Sequence, residues 1–421
     1  MTASHLVVPD DPLIAGTLGV DRETVAFEHV AARALSDGPV GRVGLELELH
    51  LVDLAQPLQR PTWEQVETLA ASVPPLPSGS PVTLEPGGQI EISTPPADDV
   101  VAAVAALRAD EAVLRRALRE AGFGAAPLGT DPAREIRRIN PGARYAAMET
   151  HFDAAGCAGC GMEMMTATAA LQVNLDAGPA SGWRQRVDLV KALVPVLVAM
   201  SSTSPYLGGR SSGWHSMRQG TWQGIDHGRS DAVPDGEPAE AWATYALDAP
   251  VMLVRDGDTA TPLTRRVTFR EWLRGEGGLH RAPTLVDLDY HLTTLFPPVR
   301  PRGYLELRAG DAMPDRWWPA LAAVTATLVD DPVAADEAAA WCEPVADAWD
   351  AAARVGLADL GVRRAVLGCL DVAVLRAPAG LRTEVEAFAE LLASGSSPSQ
   401  ELRATAETYG PLRVLEEESV A

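Results

Sequence analysis

Lysine is almost missing from this sequence. Lys191 is the only one in 421 residues, so arginine carries nearly all the positive charge. A catalytic lysine is therefore nearly excluded, and a GxxxxGK[ST] phosphate loop is absent, as is any GxGxxG opening a helix. Four cysteines are too few for a disulfide scaffold. No basic cluster offsets the net charge of -22, which argues against nucleic acid as a partner. The longest apolar stretch, Val187 to Met200, is broken by Asp188, Lys191 and Pro195 and is too short to span a bilayer, so no membrane role is expected. The opening MTASHLVVPDD lacks the basic and apolar regions of a signal peptide, and a cytoplasmic location is expected.

What is present is ordinary in amount and unusual in arrangement. Hydrophobic content of 47% supplies a large core. Length alone leaves open one catalytic unit or two to three domains. The acidity serves solubility or, with a divalent cation, a phosphate-bearing ligand.

Along the chain, an irregular start precedes a helix over 22–34. Alternation predicts strands over 43–53, 82–85, 89–93 and 166–176, and further strands near 284–290 and 302–308. Helices are predicted over 98–121 and 183–200, the latter open to a kink at Pro195. Residues 122–163 and 201–240 read as long loops, and 393–399 as a flexible break. From Trp317 the chain reads as mostly helix. Strands scattered among helices without a βαβ rhythm favour an α+β fold.

The chemistry is in the alternation. A strand turns successive side chains to opposite faces. Leu45, Leu47, Leu49 and Leu51 then share one face, and Glu46, Glu48 and His50 the other. Neighbours on a face lie roughly 6.5–7 Å apart, too far to share a proton but suited to separate or adjacent metal ions. A lone ExE is more often a solvated edge. Here the pattern recurs: Glu91 opposes Ile90 and Ile92, Gln172 and Asn174 oppose Leu171 and Val173, and Glu306 and Arg308 oppose Leu305 and Leu307. Glu85 stands just before the turn Pro86-Gly87-Gly88. A solvated face would mix in cations to relieve like-charge repulsion. Acids and amides of this kind suit magnesium, which also bridges nucleotide phosphates.

Three stretches, LEPGGQIEIS (84–93), MMTATAALQVNLD (164–176) and HLTTLFPPVRPRGYLELRAGD (291–311), resemble the plant-type glutamate–cysteine ligases, and most of all their actinobacterial branch, which serves ergothioneine synthesis. GLELELHLVD (44–53), PGARYAAM (141–148) and SMRQGTWQGID (216–226) fit the same register. The resemblance covers roughly 42–315 and implies a curved, mainly antiparallel sheet flanked by helices, like the catalytic domain of glutamine synthetase. It implies a single catalytic domain over 1–421, with its core at about 42–315 and a helical part from 316. It implies ATP and Mg2+, L-glutamate and L-cysteine as substrates, and γ-glutamylcysteine as product. By motif, Glu46, Glu48, Glu85, Glu91, Gln172 and Glu306 are candidate metal ligands, with Glu46 and Glu48 on different ions. Arg308 and Glu306 are candidate catalytic residues, with Arg308 at the transferring phosphoryl group. Arg144 and Arg218 are candidates for substrate carboxylates. Asn174, Trp214 and Trp222 are candidates for the amino-acid pocket. The sequence departs from the family at Pro301 and Gly303, so Arg300 and Arg302 are not assigned a phosphate contact.

Weaker signals remain. Cys157 and Cys160 lack the second pair a zinc ribbon needs and read as plain loop residues. His50 reads as structural, His215 and His227 as residues of a loop able to close over substrate, and Met162, Met164 and Met165 as core. Two alternatives stay open: a carboxylate–amine ligase with another amine acceptor, and an inactive relative that binds amino acid or nucleotide.

Overall fold

The Leu/Glu alternation of residues 43–53 forms β1 (Val43–Asp53), the centre of a seven-stranded sheet. The computed structural model describes Leu13 and residues 21–421; most of the irregular start lies outside the described residues. β2 (Val82–Leu84) and β3 (Ile90–Ser93) follow on one side of β1. β4 (Phe123–Ala126) pairs with the C-terminal end of β1, and β5 (Ala170–Asp176) lies on its other side. Two short hairpins, β6 (Tyr206–Leu207) with β7 (Arg210–Ser211) and β8 (Leu253–Asp256) with β9 (Thr259–Pro262), stand apart. β10 (Val299–Pro301) and β11 (Tyr304–Asp311) complete the sheet in the order β10-β11-β5-β1-β3-β2, antiparallel at every pairing.

The helices are α1 (Arg22–Ala34), α2 (Trp63–Ser72), α3 (Val100–Glu120), α4 (Ala143–Ala154), α5 (Ala158–Ala167), α6 (Trp183–Ser201), α7 (Met217–Gln223), α8 (Pro238–Asp248), α9 (Phe269–Leu273) and α10 (Leu285–Leu292). The C-terminal part adds α11 (Trp318–Asp330), α12 (Pro332–Cys342), α13 (Trp349–Val355), α14 (Leu360–Arg376), α15 (Arg382–Ala393), α16 (Pro398–Tyr409) and α17 (Pro411–Val420).

The aliphatic face of the sheet packs on α3, α6 and α11. Leu45, Leu47, Leu49 and Leu305 are wholly buried there, each stabilising the fold by about 1.5–3 kcal/mol. α11 is apolar on all sides and buried almost end to end, as a helix at the middle of a core must be. Burying the leucines here leaves the glutamate face turned to the other side, because the strand period is two.

Four expectations are corrected. Residues 285–292 are a helix, not a strand: Thr284 and Asp287 form a capping box that closes its first turn. Within 122–163 the expected loop holds for 127–142, but β4, α4 and most of α5 occupy much of the rest; α4 and α5 pack on several sides and so lack an amphipathic stripe. α7 lies inside the stretch 201–240, capped by Ser216 through Gln219 N. The 393–399 break is a built turn, with Ser397 capping α16 and Ser399 buried. α6 runs through Pro195 as one helix. No described helix is long and apolar enough to cross a membrane.

Candidate active site

Register decides which polar groups meet. Across β1 and β3, Glu48 stands directly opposite Glu91; across β1 and β5, Glu46 stands opposite Gln172. Across β5 and β11, Asn174 faces Glu306, and across β10 and β11, Arg300 faces Glu306. The β5–β11 register shifts between Leu307 and Gly310, a bulge that leaves Arg308 and Ala309 outside the regular ladder. Glu85 is delivered by the turn between β2 and β3. A side chain at Gly87 would strike the Thr166 carbonyl, Gly88 has φ +85°, and the Pro86 carbonyl accepts from Ile139 N and Asn140 N, both at 3.0 Å.

These groups line a cleft of about 270 Å³ that includes Glu46, Glu48, Glu85, Glu91, Gln172, Arg144, Trp222 and Arg308. It shares Glu46, Glu91 and Arg302 with an adjoining cleft of about 710 Å³ that also holds Asn174, Tyr304 and Asp176.

The acidic half of the face is held by donors around it. Asn174 Nδ2 donates to Glu46 at 2.8 Å, and Ala170 N donates to Glu48 at 2.9 Å. Ser93 and Thr83 hydroxyls donate to Glu91 at 2.9 and 3.0 Å. Burial pushes the Glu46, Glu48 and Glu85 carboxyls upward, and like charges push the same way: Glu306 and Glu91 on Glu46, Glu85 and Glu91 on Glu48, and Glu91 and Glu46 on Glu85. Among the described residues, no three acidic, histidine or cysteine groups converge tightly enough to surround one ion. Hard oxygen donors in ones and twos, repelling each other, fit Mg2+. That ion binds through one or two carboxylates and leaves its other positions to water and phosphate.

The other half is a guanidinium cluster. Glu306 is wholly buried. It accepts from Arg300 Nε, from Arg300 Nη2 at 2.9 Å and from Arg302 at 3.1 Å, with Arg308 at 3.5 Å. Burial alone would raise its pKa; Arg300, Arg308 and Arg302 outweigh burial and hold it at about 2. Both oxygens of this expected metal ligand are thus engaged by cations. Arg308 Nη1 also donates to Gln172 at 2.8 Å, which joins the two halves.

Of the expected substrate residues, Arg144 reaches the cleft, held by Thr293 Oγ1 at 3.1 Å and stacked over Tyr290 at 5.0 Å. Trp222 walls the cleft, with Arg308 5.8 Å from its ring and Phe296 at 5.1 Å. Arg218 is not in the wall. It is buried behind it and donates to the Arg308 carbonyl at 3.1 Å. Trp214 is also elsewhere, under Arg354 of α13 at 3.9 Å. It is a candidate by the resemblance alone, and its packing against α13 is not legible in the sequence.

Sequence reasoning passed over several lining residues. The departures at Pro301 and Gly303 argue against a phosphate contact for Arg300 and Arg302, yet both line the cleft. Tyr145, Met164, Met165 and Phe296 line it too; each stands in or beside a motif already singled out, which was the available signal. His50 is structural: it contacts the Leu128 carbonyl at 3.1 Å, and burial drives its pKa down to about 3. Cys160 lies within α5 and not in a loop, whereas Cys157 stands in the turn just before that helix; burial raises both thiols. His215 and His227 do not line the cleft.

Known proteins share this architecture. A glutamate–cysteine ligase of Francisella tularensis, solved in complex with AMP, superposes with a TM-score of 0.55 over 91% of this chain and 88% of its own, at 13% identity. The fold is therefore one that this chain shares with that structure. The model of glutamate–cysteine ligase family 2 matches residues 42–418, and the chain belongs to that family. Relatives include the glutamate–cysteine ligase EgtA of Mycolicibacterium smegmatis, 52% identical over 89% of this chain and 90% of its own length. The EgtA of Mycobacterium tuberculosis is 48% identical over 93% and 91%. The chloroplastic glutamate–cysteine ligase of Medicago truncatula is 32% identical over 60% and 51%.

Proposed function

We propose that this chain joins the γ-carboxyl of L-glutamate to the amine of L-cysteine at the expense of ATP, giving γ-glutamylcysteine, ADP and phosphate. The γ-carboxylate takes the γ-phosphoryl group of ATP and becomes an acyl phosphate. The cysteine amine then attacks the acyl carbon; the C–N bond forms, the bond to the phosphate oxygen breaks, and the amine proton is lost. The observation that carries this reading is a sheet face split into a carboxylate half and an arginine half, bridged by the Arg308–Gln172 contact.

Each half has a task. Glu46, Glu48, Glu85 and Glu91 would hold Mg2+, with Gln172 beside them; when bound, Mg2+ neutralises phosphate oxygens and the charge that develops on them. Glu306 is assigned to the arginines rather than to the metal, because a ligand role would have to displace guanidinium contacts. Arg308 faces the transferring phosphoryl group as a fixed donor to developing charge. Arg144 takes a substrate carboxylate, and Trp222 excludes water from the amino-acid end. The whole chain acts as one catalytic unit, in the cytoplasm, at the head of ergothioneine synthesis.

The test is ADP release from ATP, Mg2+ and L-glutamate, with and without L-cysteine, with the peptide product identified by mass. Cysteine-dependent γ-glutamylcysteine is expected. Turnover with other amines and none with cysteine would move the acceptor assignment, and no turnover with any amine would overturn the ligase reading.

A further inference from the structure

The bulge that carries Arg308 needs a partner for its backbone. Strand pairing with β5 skips Arg308 and Ala309, and a buried carbonyl without a donor costs free energy. Two neighbours on α7 supply the donors. Arg218 Nη1 donates to the Arg308 carbonyl at 3.1 Å, and Gln219 Nε2 donates to the Ala309 carbonyl at 2.7 Å. A third tie fixes the start of α7 to the same strand, where Ser216 Oγ donates to Asp311 at 2.8 Å. Arg218 and Gln219 are both buried.

The brace is itself held from the C-terminal part. Trp349 Nε1 of α13 donates to Gln219 Oε1 at 3.0 Å, which leaves the Gln219 amide NH2 directed at Ala309. The backbone of His215 and Ser216 donates to the Ala353 carbonyl at 3.0 and 2.9 Å. Arg403 of α16 donates to the Trp214 carbonyl at 3.0 Å, and Arg354 of α13 covers the Trp214 ring.

We propose that Gln219 and Arg218 are positioning residues that set the bulge and so aim Arg308, and that Trp349 acts on the reaction through Gln219. The helical C-terminal part then reaches the phosphoryl end of the cleft through one chain of hydrogen bonds, Trp349 to Gln219 to Ala309. Arg218 has this role in place of binding a substrate carboxylate. The inference rests on the ligase reading.

The test is a double-mutant cycle on the full-length protein with Gln219→Leu and Trp349→Phe, read as kcat and KM for ATP, glutamate and cysteine. Misplacing a catalytic group by about 1 Å costs on the order of 100-fold. Gln219→Leu is expected to lower kcat by about 10–100-fold, with each KM within about twofold. Trp349→Phe is expected to lower kcat several-fold in the wild-type background and to add nothing in the Gln219→Leu background, since one acts through the other. A folded Gln219→Leu protein with wild-type kcat would overturn the proposal. So would independent, multiplicative effects of the two substitutions. If Gln219→Leu does not fold, Gln219→Glu, which keeps the acceptor for Trp349 and loses the donor to Ala309, gives the same kcat comparison. Absence of turnover in the wild-type protein would count against the ligase reading instead, so the two failures are distinguishable.

Discussion

Glu48 and Glu306 are the same residue type on the same face of one sheet, two strands apart, and their surroundings drive them in opposite directions. Glu48 meets Glu91 across β1 and β3 and repels Glu85, so its carboxyl is pushed up by burial and by those neighbours. Glu306 is more deeply buried but lies among Arg300, Arg302 and Arg308, which hold it at about 2. Burial is common to both; the sign of the nearest charges decides the outcome. In the arginine half the single carboxylate is compensated by three guanidiniums, which leaves positive charge in excess. The acidic half is left with charge that a divalent cation would satisfy.

This difference can be broken by substitution. The largest effect is expected for Glu306→Gln, which strips three guanidiniums of a buried partner; urea unfolding should show a loss of about 3–5 kcal/mol. The family pattern, with Glu306 as a metal ligand, predicts instead an inactive but fully stable protein. Glu48→Gln in metal-free protein should leave the melting temperature unchanged or raise it, because it removes a carboxylate that burial and neighbours disfavour. Next, Arg308→Met should lower kcat by about 100- to 1,000-fold, the usual cost of removing one donor to transition-state charge, measured by γ-glutamylcysteine formation.

A smaller effect concerns His50, which shares the glutamates' face of β1. Its pKa of about 3 lies below the ordinary value of 6.5, so its neutral form stabilises the fold above that value. The contribution is lost as pH falls from 6.5 towards 3. Urea unfolding between pH 7 and 4 should therefore show a slope that His50→Gln reduces by up to about 1.4 kcal/mol per pH unit. An unchanged slope would remove His50 from this role. The smallest effect is expected for Trp214→Phe, which weakens only the stack with Arg354, about 0.5–1 kcal/mol, and leaves every KM alone. A raised KM for either amino acid would return Trp214 to the pocket.

Much of the face was legible because strand period and burial are local. Leu45, Leu47 and Leu49 determined which way Glu46 and Glu48 point, and β1 has the limits that alternation predicted. What alternation does not carry is which strands lie side by side. The opposition of Glu48 to Glu91, and of Arg300 to Glu306, comes from pairing between distant segments. The arginine clamp is therefore not legible in the sequence, where motif alone groups Glu306 with the metal ligands. The bulge at Arg308 and its brace by Gln219 and Trp349 join residues 309, 219 and 349, a juxtaposition that no local spacing reveals. The capping box at Thr284 is legible in the sequence, but the alternation of 284–290 mimics a strand and competes with it.

The division of the face is tested most directly by counting bound Mn2+, as a paramagnetic stand-in for Mg2+, by electron paramagnetic resonance in the presence of ATP. Wild type, Glu48→Gln and Glu306→Gln are compared, each confirmed as folded. Loss of a bound ion, or much weaker binding, in Glu48→Gln with full occupancy retained in Glu306→Gln is the expected result. An ion lost from Glu306→Gln while Glu48→Gln keeps its full complement would contradict the account.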